Sequence, residues 1–323
     1  MELFRYTRPI GLMGKSKWAI GLSIFLVVAS IFTIFTKGLN FGIDFAGGTI
    51  IQVKYDGAAP IDAMREKLSG NPMYEGASIN EFGSPDEVVI RLKNTSESMT
   101  KDIGDVTREE LSGTGKFQIR RVDIVGAKVG GELREKGIMA LALAFAGILI
   151  YVAVRFEWRF AVASVLALLH DLTIAVGAIS LLQLEVNLDV IAALLTILGY
   201  SINDTIIVFD RIREEITENS AKTLHEIIDD SVTRTLSRTT LTSLTVLMVL
   251  VTLFLFGGEI INTFTTTLLV GVVVGTYSSI FVASPLLGIL GFDVKRYRAK
   301  LSEKAAREAE KEKMRAQFEQ GVV

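Results

Sequence analysis

The chain has 323 residues, of which 50% are hydrophobic and 22% are charged, and its mean hydropathy is +0.42. This composition excludes a chain that is mostly disordered, collagenous or coiled coil, and it is more apolar than a soluble protein of this length needs to be. The formal net charge of −2 gives no reason to expect nucleic acid as a partner. Because there are no cysteines and only two histidines, disulfides and thiolate metal sites are excluded, and we expect neither a metal nor a cofactor.

Six stretches are long and apolar enough to cross the hydrocarbon core of a membrane, which takes about 20 residues of helix. The first follows a short basic segment, 1–17, and ends without a small-residue cleavage site, so we interpret it as a retained anchor rather than as a signal peptide. The last contains Pro285, which predicts a tilt or a kink near its end. The predicted spans are 18–36, 137–154, 160–182, 188–209, 240–256 and 264–290.

Lysine and arginine are concentrated near those span ends that lie on one side of the membrane if the six helices alternate in direction. They precede the first span, fill the turn after the second, flank the connection 210–239 and open the charged tail 291–323. The opposing turns 183–187 and 257–262 contain neither residue. By the positive-inside rule both termini are predicted to be cytoplasmic. Segment 38–136 then lies outside the cytoplasm, because loops of this length translocate regardless of their charge.

The long outer segment has the pattern of a small α+β domain. A turn-forming run, 83–86, separates two of its strands, and the resulting order β-α-β-β-α-β is that of the ferredoxin-like fold, which by itself implies no activity. Gly47 and Gly48 precede a strand and lack the phosphate-loop pattern, so we expect them to make a sharp turn at the membrane exit. The pattern predicts strands over 49–55, 78–82, 88–93 and 117–125 and helices over 60–68 and 98–111.

Ionisable groups inside predicted spans are costly and usually functional. His170 and Asp171 adjoin each other in the third span, and a pair of satisfied polar groups in the bundle is the alternative interpretation. In the sixth span Gly271 and Gly275 form a G-x-x-x-G face, which is typical of close helix packing, either within the chain or with another chain. The tail 302–320 interleaves acidic and basic residues, which predicts a solvated helix; contact with ribosomes or anionic lipid is the alternative.

Asp204 and Arg238 are predicted to lie at a similar depth. The fourth span runs inward and ends near residue 209, which puts Asp204 about 7 Å from its cytoplasmic end at 1.5 Å per residue, and Arg238 stands where the fifth span begins. A mobile pair of this kind can alternate between a protonated and a charged carboxyl group, as a proton-coupled step requires. Two alternatives stay open: Arg238 as an anchor at the membrane surface, and Asp204 as a hydrogen-bonding group between helices.

Two long motifs resemble one known family. Segment 41–49, which contains Gly42, Asp44, Gly47 and Gly48, is similar to the motif that follows the first span in the SecD/SecF family of protein-export membrane proteins. Segment 198–214 resembles the fourth-span motif of the SecF branch of that family. Segments 155–159 and 237–239 also fit that branch, so the resemblance extends over nearly the whole chain.

The resemblance implies an α-helical polytopic membrane protein that supplies half of a twelve-helix bundle of the RND superfamily, with SecD supplying the other half. It implies association with the SecYEG channel and often YajC in the bacterial plasma (inner) membrane, where the proton motive force promotes late, extracytoplasmic steps in the export of unfolded polypeptides. It assigns proton conduction to Asp204 and Arg238. His170, Asp171 and Asn203 form a possible secondary polar site, to which the resemblance gives no firm role. A few relatives use sodium ions instead of protons.

Two other functions stay open. An exporter of small molecules or lipids would need a sizeable apolar pocket. A passive scaffold for the export channel would tolerate neutral replacements of Asp204 and Arg238 but not disruption of the G-x-x-x-G face. No nucleophile–base set stands out in the sequence, so we do not expect an enzyme.

Overall fold

The structure is a computed structural model that describes residues 10–92, 103–219 and 221–319. In chain order its helices and strands are α1 (Ser16–Lys37), β1 (Asn40–Phe41), α2 (Ile43–Ala46), β2 (Gly48–Tyr55), α3 (Ile61–Ser69), β3 (Ser78–Phe82), β4 (Ser84–Leu92), α4 (Ile103–Glu110), β5 (Phe117–Val125), α5 (Ala127–Arg155), α6 (Trp158–Leu182), β6 (Glu185–Val186), α7 (Leu188–Glu218), α8 (Leu224–Phe256), α9 (Glu259–Ser278), α10 (Ser284–Ile289) and α11 (Val294–Glu319).

Six helical segments in the described part of the chain are long and apolar enough to span a membrane, which makes this a multi-pass membrane protein. They are Met13–Lys37, Ala127–Arg155, Trp158–Leu182, Leu188–Glu218, Leu224–Phe256 and Ile261–Ile289. About half of the apolar stretch is buried inside the chain in α6, α7 and the sixth segment, but only 11% in α1 and α5 and 17% in α8. The centre of the bundle is therefore formed by α6, α7 and α9, and the other three spanning helices lie at its edge.

Several spanning helices extend beyond their apolar parts. The connection predicted over 210–239 is mostly helix, because α7 runs to Glu218 and α8 starts at Leu224. Thr223 begins α8 with a capping box: its hydroxyl accepts from the Glu226 N–H, and the Glu226 carboxylate accepts from the Thr223 N–H. Turns of helix outside the hydrocarbon need caps and ion pairs rather than apolar residues, which explains why hydropathy predicts these helices too short.

The sixth segment is interrupted by one π-helical turn, Ser279–Ala283, between α9 and α10. Pro285 is the second residue after this turn and has no N–H to donate to it, and such sites commonly cause local changes in helix winding. The Ser284 hydroxyl donates to the Ser279 carbonyl at 2.9 Å and satisfies part of the altered backbone. The irregularity predicted near Pro285 thus takes the form of a π-turn just before it.

The outer segment forms a four-stranded antiparallel sheet in the order β3-β4-β2-β5. The two helices α3 and α4 pack on one face, where Met64, Leu68 and Ile103 are buried against Ile51 and Val53. Alternating side chains of β2 point into this small core, as the period of two in the sequence requires.

Two predicted boundaries in the outer domain differ from the structure. β4 begins at Ser84 rather than at residue 88, because Gly83, with a φ of 74°, makes the turn by itself. Pro85 is tolerated at the second position of the strand, where a missing N–H costs little. The helix predicted over 98–111 is seen as Ile103–Glu110, and 98–102 lie outside the described residues.

Candidate functional site

Asp204 lies in α7 in the interior of the bundle. Its side chain is 1% exposed, and neither carboxylate oxygen makes a hydrogen bond of normal geometry with the residues that the structure describes. An ionised carboxylate without hydrogen bonds in a low-dielectric interior carries a large desolvation penalty. This group therefore has a strong physical reason either to bind a proton or to approach a cation.

Arg238 on α8 is the cation that interacts with Asp204. The two groups are close enough to interact electrostatically, but within the described ranges Arg238 forms no ion pair at 4.0 Å or less. Arg238 is exposed on the surface of the chain, whereas Asp204 is buried. The two residues to which the family resemblance assigned proton conduction therefore interact in the structure without forming an ion pair.

Three hydroxyl groups connect the helices beside Asp204. The Tyr200 hydroxyl donates to Ser243 at 3.1 Å, and Ser243 and Thr276 share a hydrogen bond of 2.7 Å. Ser243 also interacts with Asp204. These groups join α7, α8 and α9 and give the interior around the carboxylate a polar character that apolar packing would not provide.

His170 and Asp171 on α6 form a second polar centre. The His170 Nδ1 atom lies 2.8 Å from Asp171 Oδ1, and Asp171 Oδ2 accepts from Ser201 at 2.6 Å and from Ser278 at 2.8 Å. Asp171 is fully buried, and its hydrogen bonds connect α6 with α7 and α9. Asn203, which the sequence suggested as a third member, is exposed and does not join this centre.

The G-x-x-x-G face of α9 packs against α7 of the same chain. A Cβ atom at Gly271 would come within 2.2 Å of Ile197 Cδ1, and one at Gly275 within 3.0 Å of Ser201 Cβ. The two glycines therefore permit the close approach that brings Ser278 and Ser201 to the same carboxylate. Of the two partners left open by the sequence, the structure has the intrachain one.

The glycine motif after α1 joins the outer domain to the bundle. β1 pairs in parallel with β6 in the loop between α6 and α7, and the Gly42 N–H donates to the Val186 carbonyl at 3.1 Å. A Cβ at Gly42 would lie 1.8 Å from Asn187 Oδ1, and one at Gly47 would lie 2.7 Å from Ala127 Cα. Gly47 also has a φ of 75°, so glycine is needed there both for the backbone conformation and for the close contact with α5.

The next glycine, Gly48, has a φ of 135°, and a Cβ there would lie 2.4 Å from the Leu92 carbonyl oxygen of the neighbouring strand. The turn at the membrane exit that the sequence predicted is therefore also a point of tight packing. We call the contacts of segment 41–48 with β6, α5 and the start of α7 the outer joint.

Asp44 in the outer joint caps α7. Its Oδ2 atom accepts from the Leu188 N–H at 3.0 Å, where the helix has an unpaired donor and the positive end of its dipole. The residue that precedes the helix, Asn187, provides no side-chain cap of its own. A residue that lies 144 positions away along the chain thus supplies the cap of α7, the helix that carries Asp204.

A cavity of about 630 Å³ lies between the outer joint and the sheet face opposite α3 and α4. An ion pair between Arg91 of β4 and Glu185 of β6 crosses it. Burial raises the pKa of Glu185, and Arg91 partly offsets that effect. The charged side chains that line the cavity are Asp44, Arg91, Arg121, Asp123, Glu185 and Asp189.

Sequence reasoning missed a charged cluster at the cytoplasmic end of α7. Glu215 is fully buried there, 2.6 Å from Lys222, 3.3 Å from Arg211 and 3.5 Å from Arg234. Hydrogen bonds to Asp230 and Glu215 raise the pKa of Lys222. The spacing of four between Arg211 and Glu215 was the available signal, but it is common on solvated helices, and only the tertiary structure reveals the burial.

Among the residues that the structure describes, no group of three or more His, Cys, Asp or Glu side chains is arranged to hold a metal ion. The polar centres of the bundle are thus built from single carboxylates, hydroxyl groups, one imidazole and one guanidinium. Such groups can exchange protons and hydrogen bonds.

Comparison with known proteins identifies the family. The family model of the C-terminal part of SecD/SecF protein-export membrane proteins matches residues 106–293, and that of the SecD/SecF GG motif matches residues 32–59. A protein named protein translocase subunit SecF from Helicobacter pylori is 44% identical to this chain over 323 residues, the full length of both chains. A protein of the same name from Vibrio alginolyticus is 45% identical to it, over 90% of this chain and 92% of the relative.

Solved structures agree. The crystal structure of SecDF from Thermus thermophilus, titled a translocon-associated membrane protein, has 35% identity and a TM-score of 0.78 over 89% of this chain. A SecDF structure in a super-membrane-facing form has 34% identity and a TM-score of 0.66 over 94% of this chain. The chain spans only 39% and 41% of those two longer chains. The chain therefore belongs to the SecD/SecF family of protein-export membrane proteins.

Proposed function

We propose that this chain is the SecF subunit of the Sec translocation machinery and that, with SecD, it uses the proton motive force to promote late, extracytoplasmic steps of protein export through SecYEG. Full-length relatives named as SecF translocase subunits support the export role. The matched SecDF chains are more than twice as long, which leaves room in them for a SecD half. YajC and the unfolded exported polypeptide complete the proposed set of partners. A protein-export subunit of this kind is not an enzyme.

The proposed location is the bacterial inner membrane, with both termini in the cytoplasm. The arginines Arg155, Arg159 and Arg213 lie at one end of the bundle, and the turn 183–187 at the opposite end has no lysine or arginine. This distribution supports the orientation by the positive-inside rule, and with it an extracytoplasmic location of the outer domain. The strand order β3-β4-β2-β5 with both helices on one face supports a ferredoxin-like fold for that domain.

The proton-binding step is assigned to Asp204 and Arg238. The buried carboxylate lacks hydrogen bonds, and a guanidinium lies near it without forming an ion pair. A proton on Asp204 removes the charge that attracts Arg238, and loss of that proton restores the attraction. The step changes the contact between α7 and α8, and one charge that crosses 100 mV releases about 2.3 kcal/mol for such work.

The face that carries Arg238 is assigned to contact with SecD. Arg238 and Asn203 are both exposed although they lie in helices predicted to span the membrane, and exposed polar groups there are costly against lipid. Coverage by a second set of helices shields both groups and encloses the carboxylate. The larger SecDF chains support a bundle with such a second half.

α7 is assigned to transmission of the movement to the outer domain. Asp204 lies 16 residues after Leu188 on this uninterrupted helix, which corresponds to about 24 Å at 1.5 Å per residue. Asp44 and the parallel strand pair attach the outer joint to the start of the same helix. A shift of α7 against α8 therefore displaces the outer domain, which then holds or releases the emerging polypeptide.

The observation that carries the proposal is the buried Asp204 without hydrogen bonds next to Arg238. The test is export of a secretory protein into inverted membrane vesicles, measured with and without a proton gradient. We expect Asp204→Asn, present at normal levels, to lose the gradient-dependent part of export, and Thr196→Ala, at an exposed position of the same helix, to keep it. Undiminished gradient-dependent export in Asp204→Asn rejects the role of Asp204 and favours a passive scaffold.

The alternative of a small-molecule exporter has less support. The cavity at the outer joint is lined by six charged side chains and is crossed by an ion pair, whereas an apolar substrate needs a largely apolar site. Efflux that depends on this chain in vesicles without any exported protein is the result that would support it.

A further inference from the structure

The imidazole of His170 is buried in the bundle with only one of its two ring nitrogens hydrogen-bonded to the described residues. Its side chain is 7% exposed, its Nδ1 atom is bonded to Asp171, and its Nε2 atom has no hydrogen-bond partner in the described part of the chain. A buried polar ring nitrogen without a partner is rare and costly. We propose that His170, paired with Asp171, is a second proton-binding site of the bundle, distinct from Asp204.

The chemistry of the pair favours proton uptake at Nε2. An ionised carboxylate only accepts hydrogen bonds, so Nδ1 carries the hydrogen that is directed at Asp171, and Nε2 is left with a free lone pair. In this state the buried pair has a charge of −1. Transfer of a proton from a hydronium ion to Nε2 forms one N–H bond, breaks one O–H bond and releases a water molecule. The product is an imidazolium beside the carboxylate, and the net charge of the pair becomes zero.

Within the described residues, the ion pair of His170 and Asp171 is formed only between these two side chains. α6 packs against α1, α5, α7, α9, the π-turn and α10, and Tyr277 of α9 is the one titratable side chain from these elements whose ring stacks on His170, at 6.4 Å between centroids, in the part of the chain that is described. The groups that α7 and α9 direct at Asp171 are the neutral hydroxyls of Ser201 and Ser278. The charge of the pair is therefore set by its own proton.

Hydroxyl groups lead from the imidazole towards α1. The Tyr277 hydroxyl donates to the Ala19 carbonyl at 2.7 Å and accepts from Ser23 at 3.1 Å. Ser23 is itself buried, so these bonds lie within the helix packing and not at its surface. These hydroxyl and carbonyl groups make the packing between α9 and α1 polar, on the side of the bundle where the Tyr277 ring stacks on His170.

Proton uptake here changes the packing of α7. Hydrogen bonds to a carboxylate are stronger when its charge is not shared with a neighbouring cation. Protonation of His170 therefore weakens the hydrogen bonds that Asp171 accepts from Ser201 and Ser278. Ser201 lies three residues before Asp204 on α7, and Ser278 lies next to the π-turn. The consequence for export rests on the proposed function, but the binding of a proton to His170 does not.

The sequence allows a direct test, because the chain has only two histidines, His170 and His225. His225→Gln leaves one imidazole, and solid-state NMR of isotope-labelled histidine in the full-length chain in lipid vesicles reports the tautomer and protonation of that ring. We expect a neutral ring with hydrogen on Nδ1 in alkaline buffer and an imidazolium in acidic buffer. Asp171→Asn should lower the proton affinity of the ring about tenfold or more, since the carboxylate that stabilises the cation is lost.

Three outcomes overturn the inference. The first is a ring that keeps the same protonation over the whole pH range, which is the behaviour of a purely structural pair. The second is a titration that Asp171→Asn does not change. A titration that disappears when sodium replaces potassium in the buffer assigns the centre to a metal cation and also overturns it.

A second measurement separates this inference from the proposed function. The titration of His170 should persist in Asp204→Asn, even if export there has lost its dependence on the gradient. In the vesicle assay we expect His170→Gln, whose amide can still donate to Asp171, to reduce gradient-dependent export several-fold and to shift its pH profile. Thr173→Ala is the matched control, because Thr173 lies one turn away on α6 and its hydroxyl donates to the Leu169 carbonyl of the same helix. Unchanged export and an unchanged pH profile in His170→Gln contradict a role of the site in export.

Discussion

Two kinds of carboxylate meet at α7. Asp171 and Asp44 belong to other parts of the chain and hold the helix through hydrogen bonds, at Ser201 and at the Leu188 N–H. Asp204 belongs to α7 itself and is as deeply buried as Asp171. It makes no hydrogen bond of normal geometry with the described residues. The difference shows that burial alone does not indicate function, because a satisfied carboxylate stabilises packing and an unsatisfied one is free to change its charge or its partner.

The sharpest contrast is expected in stability. Asp171→Ala removes the acceptor of three buried groups, of which only Ser278 keeps another partner, the Gly275 carbonyl, and it should lower the free energy of unfolding by about 3 kcal/mol. Asp204→Ala removes a costly buried group that has no hydrogen bonds, so stability should be unchanged or slightly higher. Unfolding of both variants in mixed detergent micelles measures the difference, and equal destabilisation by the two substitutions would break the comparison.

The outer joint should be the next most sensitive region. In Gly47→Ala the new Cβ meets the Ala127 backbone at 2.7 Å, whereas in Gly76→Ala, at a similar φ of 74°, it meets nothing within 4 Å. Both substitutions place an L-residue at a positive φ, and Gly47, with a ψ of 166°, lies in a region that is essentially restricted to glycine, so the backbone penalty is about 1 to 3 kcal/mol. Only Gly47→Ala should in addition loosen the joint, with faster hydrogen exchange in β1 and β6.

Equal hydrogen exchange in the two glycine variants would show that close packing at Gly47 is not what fixes the outer domain. Gly76 is a suitable control because it lies in the same domain but away from the membrane exit.

A smaller effect is expected at the start of α7. Asp44→Ala removes the cap of the helix and should lower stability by about 1 kcal/mol, with faster exchange of the Leu188 amide. Asp189→Ala removes the same charge from the same helix end without removing that hydrogen bond and should cost less. The reverse order would mean that charge alone, and not the cap, attaches the joint to α7.

The smallest effect concerns pH. The pKa of Glu185 is raised in the folded state, so the native chain binds a proton there more readily than the unfolded chain, and the contribution to stability is fully present below the unfolded pKa and is lost as the pH rises through the folded value. The outer joint should therefore be slightly more stable in acid. Glu185→Gln should remove this dependence, as measured by exchange in β6 across the range above about pH 4.5.

Much of the architecture could be predicted from the sequence. Hydropathy predicted six membrane-spanning helices, and six suitable segments are found. The motifs at 41–49 and 198–214 predicted the SecD/SecF family, which the family models and relatives confirm. These features depend on local composition or on runs of consecutive residues, which a sequence displays directly.

The sequence could not distinguish the two buried carboxylates. Asp171 and Asp204 each appear as one acid in an apolar span, and their difference arises from Ser201 and Ser278, which reach Asp171 from other helices. The cap on α7 by Asp44 was hidden for the same reason, since it joins distant parts of the chain. Such contacts depend on helix packing, for which hydropathy has no signal.

The central claim is that Asp204 itself gains and loses a proton. Infrared difference spectroscopy of this chain with SecD in lipid, recorded between acidic and alkaline pH, measures that event directly. We predict a band from a buried protonated carboxyl group that is absent in Asp204→Asn, persists in Asp171→Asn and titrates at higher pH in Arg238→Gln, because a stabilising cation is lost. A spectrum that Asp204→Asn leaves unchanged would contradict the account.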